Sequence, residues 1–242
     1  MIDLHCHLLP GIDDGPSNLE ESLALAQQMV QSGVTHAVLT PHVHPGRWDN
    51  TKSTIEPHVI EYKKALADAS IPLTVGFAGE VRISPDILNA FMEGELPFLG
   101  ELNGQKVLLL ELPHSNIPLG TDKIISWLLS KNIRVMIAHP ERNKDVMRRY
   151  EKLAPLVDLG CLFQVTAGSL IGNFGEQAEL ISIRMLEAGL ITILASDAHH
   201  VVRRPCNLDQ GFAKASEVVG GNEALNLVKG MPLEISASQF TV

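Results

Sequence analysis

Seven short β-rich runs, at 2–7, 36–41, 73–80, 106–112, 134–139, 161–166 and 191–196, alternate along the chain with stretches whose apolar residues recur every three or four positions. The short period fits extended strands and the longer one amphipathic helices. Helices are predicted at about 52–69, 84–93, 121–131, 143–158, 174–188, 208–218 and 221–229. The first connecting helix carries the clearest local signals. Ser17 and Glu20 stand as a capping box, acids fill its first turn, Leu19, Leu23, Ala26 and Val30 form a stripe, and Gly33 ends it.

Repeated strand–helix units imply a parallel sheet, either doubly wound or closed into a barrel. The placement of polar residues favours the barrel. Glu80, Glu111, His139, Asp197 and His199 all lie at or just beyond the C-terminal end of a strand, where (β/α) barrels gather their catalytic groups. No glycine-rich dinucleotide loop follows the first strand. The expected fold is therefore α/β, an irregular (β/α)7 TIM-like barrel with its site at the C-terminal end of the strands. With no linker-like stretch, residues 1–242 are read as one domain.

Composition narrows the picture further. Hydrophobic residues make up 45% of the 242 positions and aromatics only 5%, so the core is aliphatic, as suits strands buried under helices. A net charge of −9 leaves no basic stripe for nucleic acid. No apolar run is long enough to insert into a membrane, and no basic-then-apolar leader opens the chain, so a cytoplasmic location is expected. Cys6, Cys161 and Cys206 are too few and too dispersed for a disulfide framework. None is followed six residues later by arginine, the spacing a cysteine-dependent phosphatase requires; Ile12, Ala167 and Phe212 stand there instead.

The chemistry is concentrated in Asp3-Leu4-His5-Cys6-His7 and its late echo, Asp197-Ala198-His199. Residues two apart on a strand share a face, so His5 and His7 can converge while Leu4 and Cys6 face the barrel wall. Imidazole and carboxylate together suit borderline and hard divalent ions such as zinc, manganese and iron. In chain order the candidate ligands are His5, His7, Asp14, His42, Glu80, Glu111, His139, Asp197 and His199. Asp13 competes with Asp14, with a turn or outer-shell role as its alternative. Gly11 and Gly15 read as turn formers. His36, His44, His58, His114 and His200 read as ordinary surface or core histidines, although His44 and His200 flank ligand motifs.

The opening His5-Cys6-His7 followed by Asp13-Asp14-Gly15-Pro16 resembles the PHP (polymerase and histidinol phosphatase) superfamily, and within it the bacterial capsule and exopolysaccharide protein-tyrosine phosphatases. The resemblance continues through Thr40-Pro41-His42, Ala78-Gly79-Glu80, Leu110-Glu111, Ala138-His139-Pro140-Glu141-Arg142 and Ala195-Ser196-Asp197-Ala198-His199, and so covers essentially the whole chain. The segments 43–48 and 112–114 diverge from it.

The resemblance implies three divalent ions, manganese by family expectation, with iron or zinc as alternatives. A first would take His5, His7, Glu80 and Asp197; a second Glu80, Glu111 and His139; a third Asp14, His42 and His199. It further implies that Arg142 and Arg204 hold a substrate phosphate, with Arg203 the rival to Arg204. A planar guanidinium suits that task because it can donate two hydrogen bonds to phosphate oxygens. Four ligand carboxylates against three divalent ions leave the loaded site at about +2, enough to attract a phosphate dianion to an acidic protein. The expected activity is metal-dependent hydrolysis of protein phosphotyrosine, with a bacterial tyrosine kinase of the exopolysaccharide system as substrate. A small-molecule phosphatase of the histidinol-phosphatase type and a non-catalytic metal-binding regulatory module are the competing readings.

Overall fold

The computed structural model describes residues 1–240. Among the described residues ten strands are formed: β1 (Ile2–Cys6), β2 (His36–Leu39), β3 (His42–Val43), β4 (Thr74–Phe77), β5 (Glu80–Arg82), β6 (Gly100–Leu102), β7 (Gln105–Glu111), β8 (Ile133–Ala138), β9 (Leu162–Thr166) and β10 (Ile193–Ala195). One sheet runs β1-β2-β4 and another β10-β9-β8-β7-β5-β3. Every pairing is parallel except that of β6 with β7. Just past β10 the backbone returns to β1: Asp197 N–H donates to His5 O at 2.8 Å and His7 N–H to Ala198 O at 2.9 Å. The fold is thus a mixed α/β architecture built on parallel strands.

Two expected strands are interrupted. The run at 36–41 breaks into β2 and β3 around Thr40-Pro41, where proline has no N–H to give a ladder. The run at 73–80 breaks into β4 and β5 at Ala78-Gly79, and the chain stays extended to Arg82. A Cβ on Gly79 would lie 2.6 Å from Pro97 Cγ and 2.8 Å from Val43 Cγ2, so glycine is required there by close packing. The β6–β7 hairpin was not among the expected strands, although Asn103-Gly104 is a signal for it. Both residues adopt positive φ, 52° and 77°, as a two-residue hairpin turn with right-handed strand twist demands.

The helices Leu19–Gln31, Lys52–Asp68, Thr121–Ser130, Glu176–Glu187 and Leu208–Val219 follow the sequence expectation closely. The stretch 143–158 does not: it divides into helices Lys144–Arg148 and Ala154–Asp158 joined by a 3₁₀ turn, Tyr150–Leu153. At the C-terminal end an unexpected helix spans Met231–Ser236. In the first helix the cap is Asn18, whose side chain accepts from Glu21 N–H, while Ser17 pairs with Glu21 instead of forming the expected box with Glu20. Its buried face is Ser22, Leu25, Ala26 and Met29, and Leu19 is 45% exposed. A serine can hold this core position because its hydroxyl donates to Leu8 O at 2.5 Å.

Two apolar clusters occupy the two faces of the strands. The larger, including Leu39, Val75, Leu108, Leu110, Ile137 and Val165, packs under the helices. The smaller gathers Leu4, Val38, Ala78, Leu109, Met136 and Ile193 on the opposite face. This second face also positions the site.

Candidate metal centre

Counting in steps of two along the smaller cluster's face leads from apolar residues to residues of the site. Val38 leads to His42, Ala78 to Glu80, Leu109 to Glu111, Leu162 to Gln164 and Ile193 to Asp197. The core and the site are therefore successive layers of one surface. His139 has the wrong parity, since it follows Ala138, and it enters the site through a left-handed backbone at φ 33°. His5 and His7 also have the wrong parity relative to Leu4. The β1–β2 register slips by one residue between Asp3 and Cys6, a bulge that reverses the alternation. Leu4 consequently lies in the smaller cluster and Cys6 in the larger, which corrects the expectation that both face one wall. Asp197 too has positive φ, at 52°. Such conformations are costly outside glycine and collect at functional sites.

The tightest group comprises His5 Nε2, His7 Nε2, Glu80 Oε2 and Asp197 Oδ1. Its separations are 3.3 Å for His5–His7, 3.3 Å for His5–Glu80, 3.4 Å for His5–Asp197, 3.4 Å for His7–Glu80 and 3.5 Å for His7–Asp197. Ligands about 2.1 Å from a tetrahedral ion would be about 3.4 Å from one another. Both imidazoles face inward by Nε2 because Nδ1 of each is held outside, His5 by Gln164 Oε1 at 2.9 Å and His7 by Asp13 Oδ2 at 2.7 Å. Glu80 Oε2 and Asp197 Oδ1 are buried without a hydrogen bond. Two lone-pair nitrogens against two bare carboxylate oxygens require a cation or a proton between them, so this donor set fits a divalent ion.

The remaining ligand candidates surround this group. Asp14 Oδ1 is 3.3 Å from Nε2 of both His42 and His199, with His7 close enough to join them. His199 donates from Nδ1 to the Asp197 carbonyl at 2.9 Å, which frees its Nε2. Asp13, by contrast, is committed to His7 Nδ1, Gly15 N–H and His42 N–H, an orienting role. The Asp-Asp pair thus divides its work, with Asp14 facing the other donors. Gly15 closes a local turn by donating its N–H to Asp13 and is also needed for close packing, since a Cβ there would lie 2.7 Å from His7 O; Gly11, at φ 76°, turns the chain as well.

Glu111 stands with Glu80 and His42, not with His139 as the family mapping implies. His139 groups with His5 and Asp197 and approaches the other oxygen of Glu80, Oε1, at 2.6 Å.

Electrostatics in the ion-free protein follow from this crowding. Burial opposes charge on His7, but Asp13 outweighs it and raises the ring to about 9. The same contest at His42, won by Glu80 and Asp14, raises it to about 11. Burial and Arg142 depress His139 to about 4, and burial and His7 depress His199 to about 4. Burial also works against Asp197, yet Arg204 and Arg142 hold its carboxyl well below the usual range.

Arg142 and Arg204 both donate from Nη2 to Asp197 Oδ2, each at 2.5 Å, while Nε of each is buried without a partner. Arg142 lies over the Phe174 ring, 4.6 Å from its centroid. Both arginines line a cavity of about 360 Å³ that opens over the ligand cluster. Arg203 does not line it, and its N–H, with that of Val202, instead bonds His200 Nδ1. His44 and His114, which the sequence reads as ordinary surface or core histidines, are on the cavity wall, whereas His200, which also flanks a ligand motif, is not. Three other wall residues escape the sequence reading: Arg82, paired with Glu111 Oε1 at 2.9 Å, Trp48, and Phe174. Cys161 and Cys206 lie off the wall, and Cys6, on the helix side of β1, has its thiol pushed well up by burial.

A parallel α/β framework that gathers imidazoles and carboxylates at the ends of its strands, with arginines beside them, defines a protein organised around a metal-type centre. The model of the capsular polysaccharide synthesis family, CpsB/CapC, matches residues 1–235, and the chain belongs to that family. It is 35% identical to the tyrosine-protein phosphatase YwqE of Bacillus subtilis over 204 residues, covering 84% of this chain and 79% of that one. It is 33% identical to the putative tyrosine-protein phosphatase CapC of Staphylococcus aureus over 212 residues, 88% of this chain and 82% of the other. Among solved structures, one from a study of YwqE and of CpsB from Streptococcus pneumoniae, described as unique metal-dependent tyrosine phosphatases, superposes with a TM-score of 0.90 at 31% identity, covering 100% and 96% of the two chains. A lactonase from Listeria monocytogenes, at 12% identity, TM-score 0.53 and coverage of 99% and 94%, shares the fold alone.

Proposed function

We propose that the protein is a metal-dependent tyrosine phosphatase that hydrolyses phosphotyrosine on a protein, most specifically a bacterial tyrosine kinase of the capsule or exopolysaccharide system. The observation that carries this reading is the division of Asp197. One oxygen faces two imidazoles at metal-ligand spacing, and the other takes two arginines inside an open cavity. A candidate cation site and a pair of arginines suited to an anion thus meet at one carboxylate, an arrangement that suits phosphoryl transfer. The names of the relatives supply the phosphotyrosine substrate.

In this reading His5, His7, Glu80 and Asp197 hold one divalent ion, and Asp14, His42, Glu111, His139 and His199 complete sites for two more, manganese being the preferred metal. Bound ions of this kind supply positive charge against phosphoryl oxygens and make water nucleophilic at neutral pH. Arg142 and Arg204 bind the non-bridging phosphate oxygens through nitrogens not engaged by Asp197. Phe174 keeps Arg142 extended across the cavity. Tyrosinate, with a pKa of about 10, leaves with modest need for a general acid. The wall histidines are not poised as proton donors, since burial and neighbouring cations, Arg82 at His44 and Lys144 at His114, hold both below the ordinary histidine value, which accords with a leaving group that needs little help.

The two sheets are read as a seven-position (β/α) barrel of one domain over residues 1–242, supported by the bonds between β1 and the segment after β10. No helix among the described residues is long and apolar enough to cross a membrane, which accords with a cytoplasmic enzyme. The deciding experiment compares turnover of a phosphotyrosine peptide and of histidinol phosphate, with manganese and with chelator. Manganese-dependent turnover of the peptide is expected. Undiminished turnover by the demetallated protein, or preference for histidinol phosphate, would overturn the reading.

A further inference from the structure

The rings of the centre are not held alike. His5, His7 and His199 each donate a hydrogen bond outward from Nδ1, to Gln164, Asp13 and the Asp197 carbonyl. Such outer bonds normally fix both tautomer and orientation of a metal-binding imidazole. His42 has none. Its Nδ1 faces Glu80 Oε2 at 3.0 Å, without hydrogen-bond geometry, and its Nε2 faces Asp14 Oδ1 at 3.3 Å. Both nitrogens point into the centre, so something other than a hydrogen bond must set the plane of the ring.

Trp48 meets that need. Its ring lies on His42 with centroids 4.6 Å apart and an interplanar angle of 7°. Arg47 covers the indole at 4.0 Å from its centroid. The Trp48 backbone is tied to the strand end by reciprocal bonds with that of His44, of 2.8 and 2.9 Å, while the Asn50 side chain donates to the His42 carbonyl at 2.8 Å. With His42 stacked on it and Arg47 over it, the indole is poorly placed to receive a substrate ring.

We infer that Trp48 is a positioning residue, whose stacked ring fixes the plane of His42 and so tunes how tightly the Asp14–His42–His199 group holds a divalent ion. This rests on the metal reading of that group. The test is manganese titration by calorimetry, with bound metal counted by mass spectrometry, on wild type, His42→Ala, Trp48→Ala, Trp48→Leu and Trp48→Phe. Trp48→Ala and Trp48→Leu should weaken one ion by about tenfold or more and leave the others unchanged, as expected for loss of an orienting partner. Trp48→Phe, which keeps a flat ring, should stay within about threefold of wild type.

A spectroscopic reading accompanies this. The chain has 2 tryptophans. In a Trp127→Phe background the Trp48 emission should therefore be quenched as paramagnetic manganese binds beside His42, and His42→Ala should remove that phase. If Trp48→Ala titrates as wild type while His42→Ala is weakened, the positioning role is wrong. It is equally wrong if Trp48→Leu, like Trp48→Phe, stays within about threefold of wild type, because bulk alone then suffices, or if Trp48→Phe is weakened as far as Trp48→Ala, because a flat ring then does not hold the site. If His42→Ala itself titrates as wild type, the metal reading of the group fails and the inference falls with it.

Discussion

Asp13 accepts the Nδ1 proton of His7 at 2.7 Å, and this bond turns the opposite nitrogen of the ring toward His5, Glu80 and Asp197. A residue outside the proposed coordination shell therefore dictates which face of His7 the centre sees. Asp13→Ala should lower manganese affinity about 10- to 100-fold, and Asp13→Asn should recover part of it, since an amide oxygen can still accept the proton. Calorimetric titration of the chelator-stripped protein checks this; unchanged affinity in both variants would refute an orienting role.

Arg142→Ala and Arg204→Ala should each cut kcat/KM toward a phosphotyrosine peptide by about 10²-fold or more, roughly 3 kcal/mol for a lost preorganised donor, with metal content preserved. Lysine at either position should restore only part, because a point charge lacks the two-pronged geometry. Steady-state kinetics with phosphate inhibition decide the matter. Two alanine variants with wild-type efficiency and unaltered inhibition by inorganic phosphate would remove both arginines from the phosphate site.

Metal binding should be strongly proton-linked. Burial disfavours the charged rings, but Asp13 keeps His7 protonated up to about pH 9, and Glu80 with Asp14 keep His42 protonated up to about pH 11. A cation needs both rings neutral. Below pH 9 it must therefore expel these protons, and apparent affinity should rise with pH by up to about tenfold per unit for each proton displaced. Calorimetry in buffers of different ionisation heat measures the protons released, and a binding constant indifferent to pH between 6 and 8.5 would contradict the assignment.

The cysteines should be spectators. Cys161→Ser and Cys206→Ser should keep turnover within about twofold of wild type, since their thiols are raised to about 12 by burial and neither reaches the cavity. A phosphorylated cysteine trapped during turnover would point to a different nucleophile.

Much of the centre was legible because strand alternation carries a ligand at 42, 80, 111 or 197 onto the same face as the apolar residues before it. The histidines on β1 were found from spacing alone, yet for an incomplete reason: the bulge that turns His5 and His7 inward leaves no mark in the sequence. Trp48 and Phe174 were missed because they reach the cavity from loops, where no periodicity announces a shared site, whereas Arg82 continues the Ala78–Glu80 alternation and was missed because the expected strand stopped at 80. The misplaced stripe on the first helix has a similar origin, since Ser22 occupies a core position through one hydrogen bond to Leu8 that hydrophobicity cannot foresee. The ligand grouping around Glu111 and His139 depends on side-chain reach across the cavity, which strand position does not determine.

Glu80 lies within reach of four imidazoles: His5, His7 and His42 at 3.3, 3.4 and 3.0 Å from one oxygen, and His139 at 2.6 Å from the other. With one carboxylate common to several ligand groups, an ion entering any of them alters the free energy of filling the next, and by linkage the influence is mutual. Ions proposed to occupy these groups would therefore not bind independently: they divide the charge of one carboxylate, so the filling of each group sets how tightly its neighbour can hold a cation.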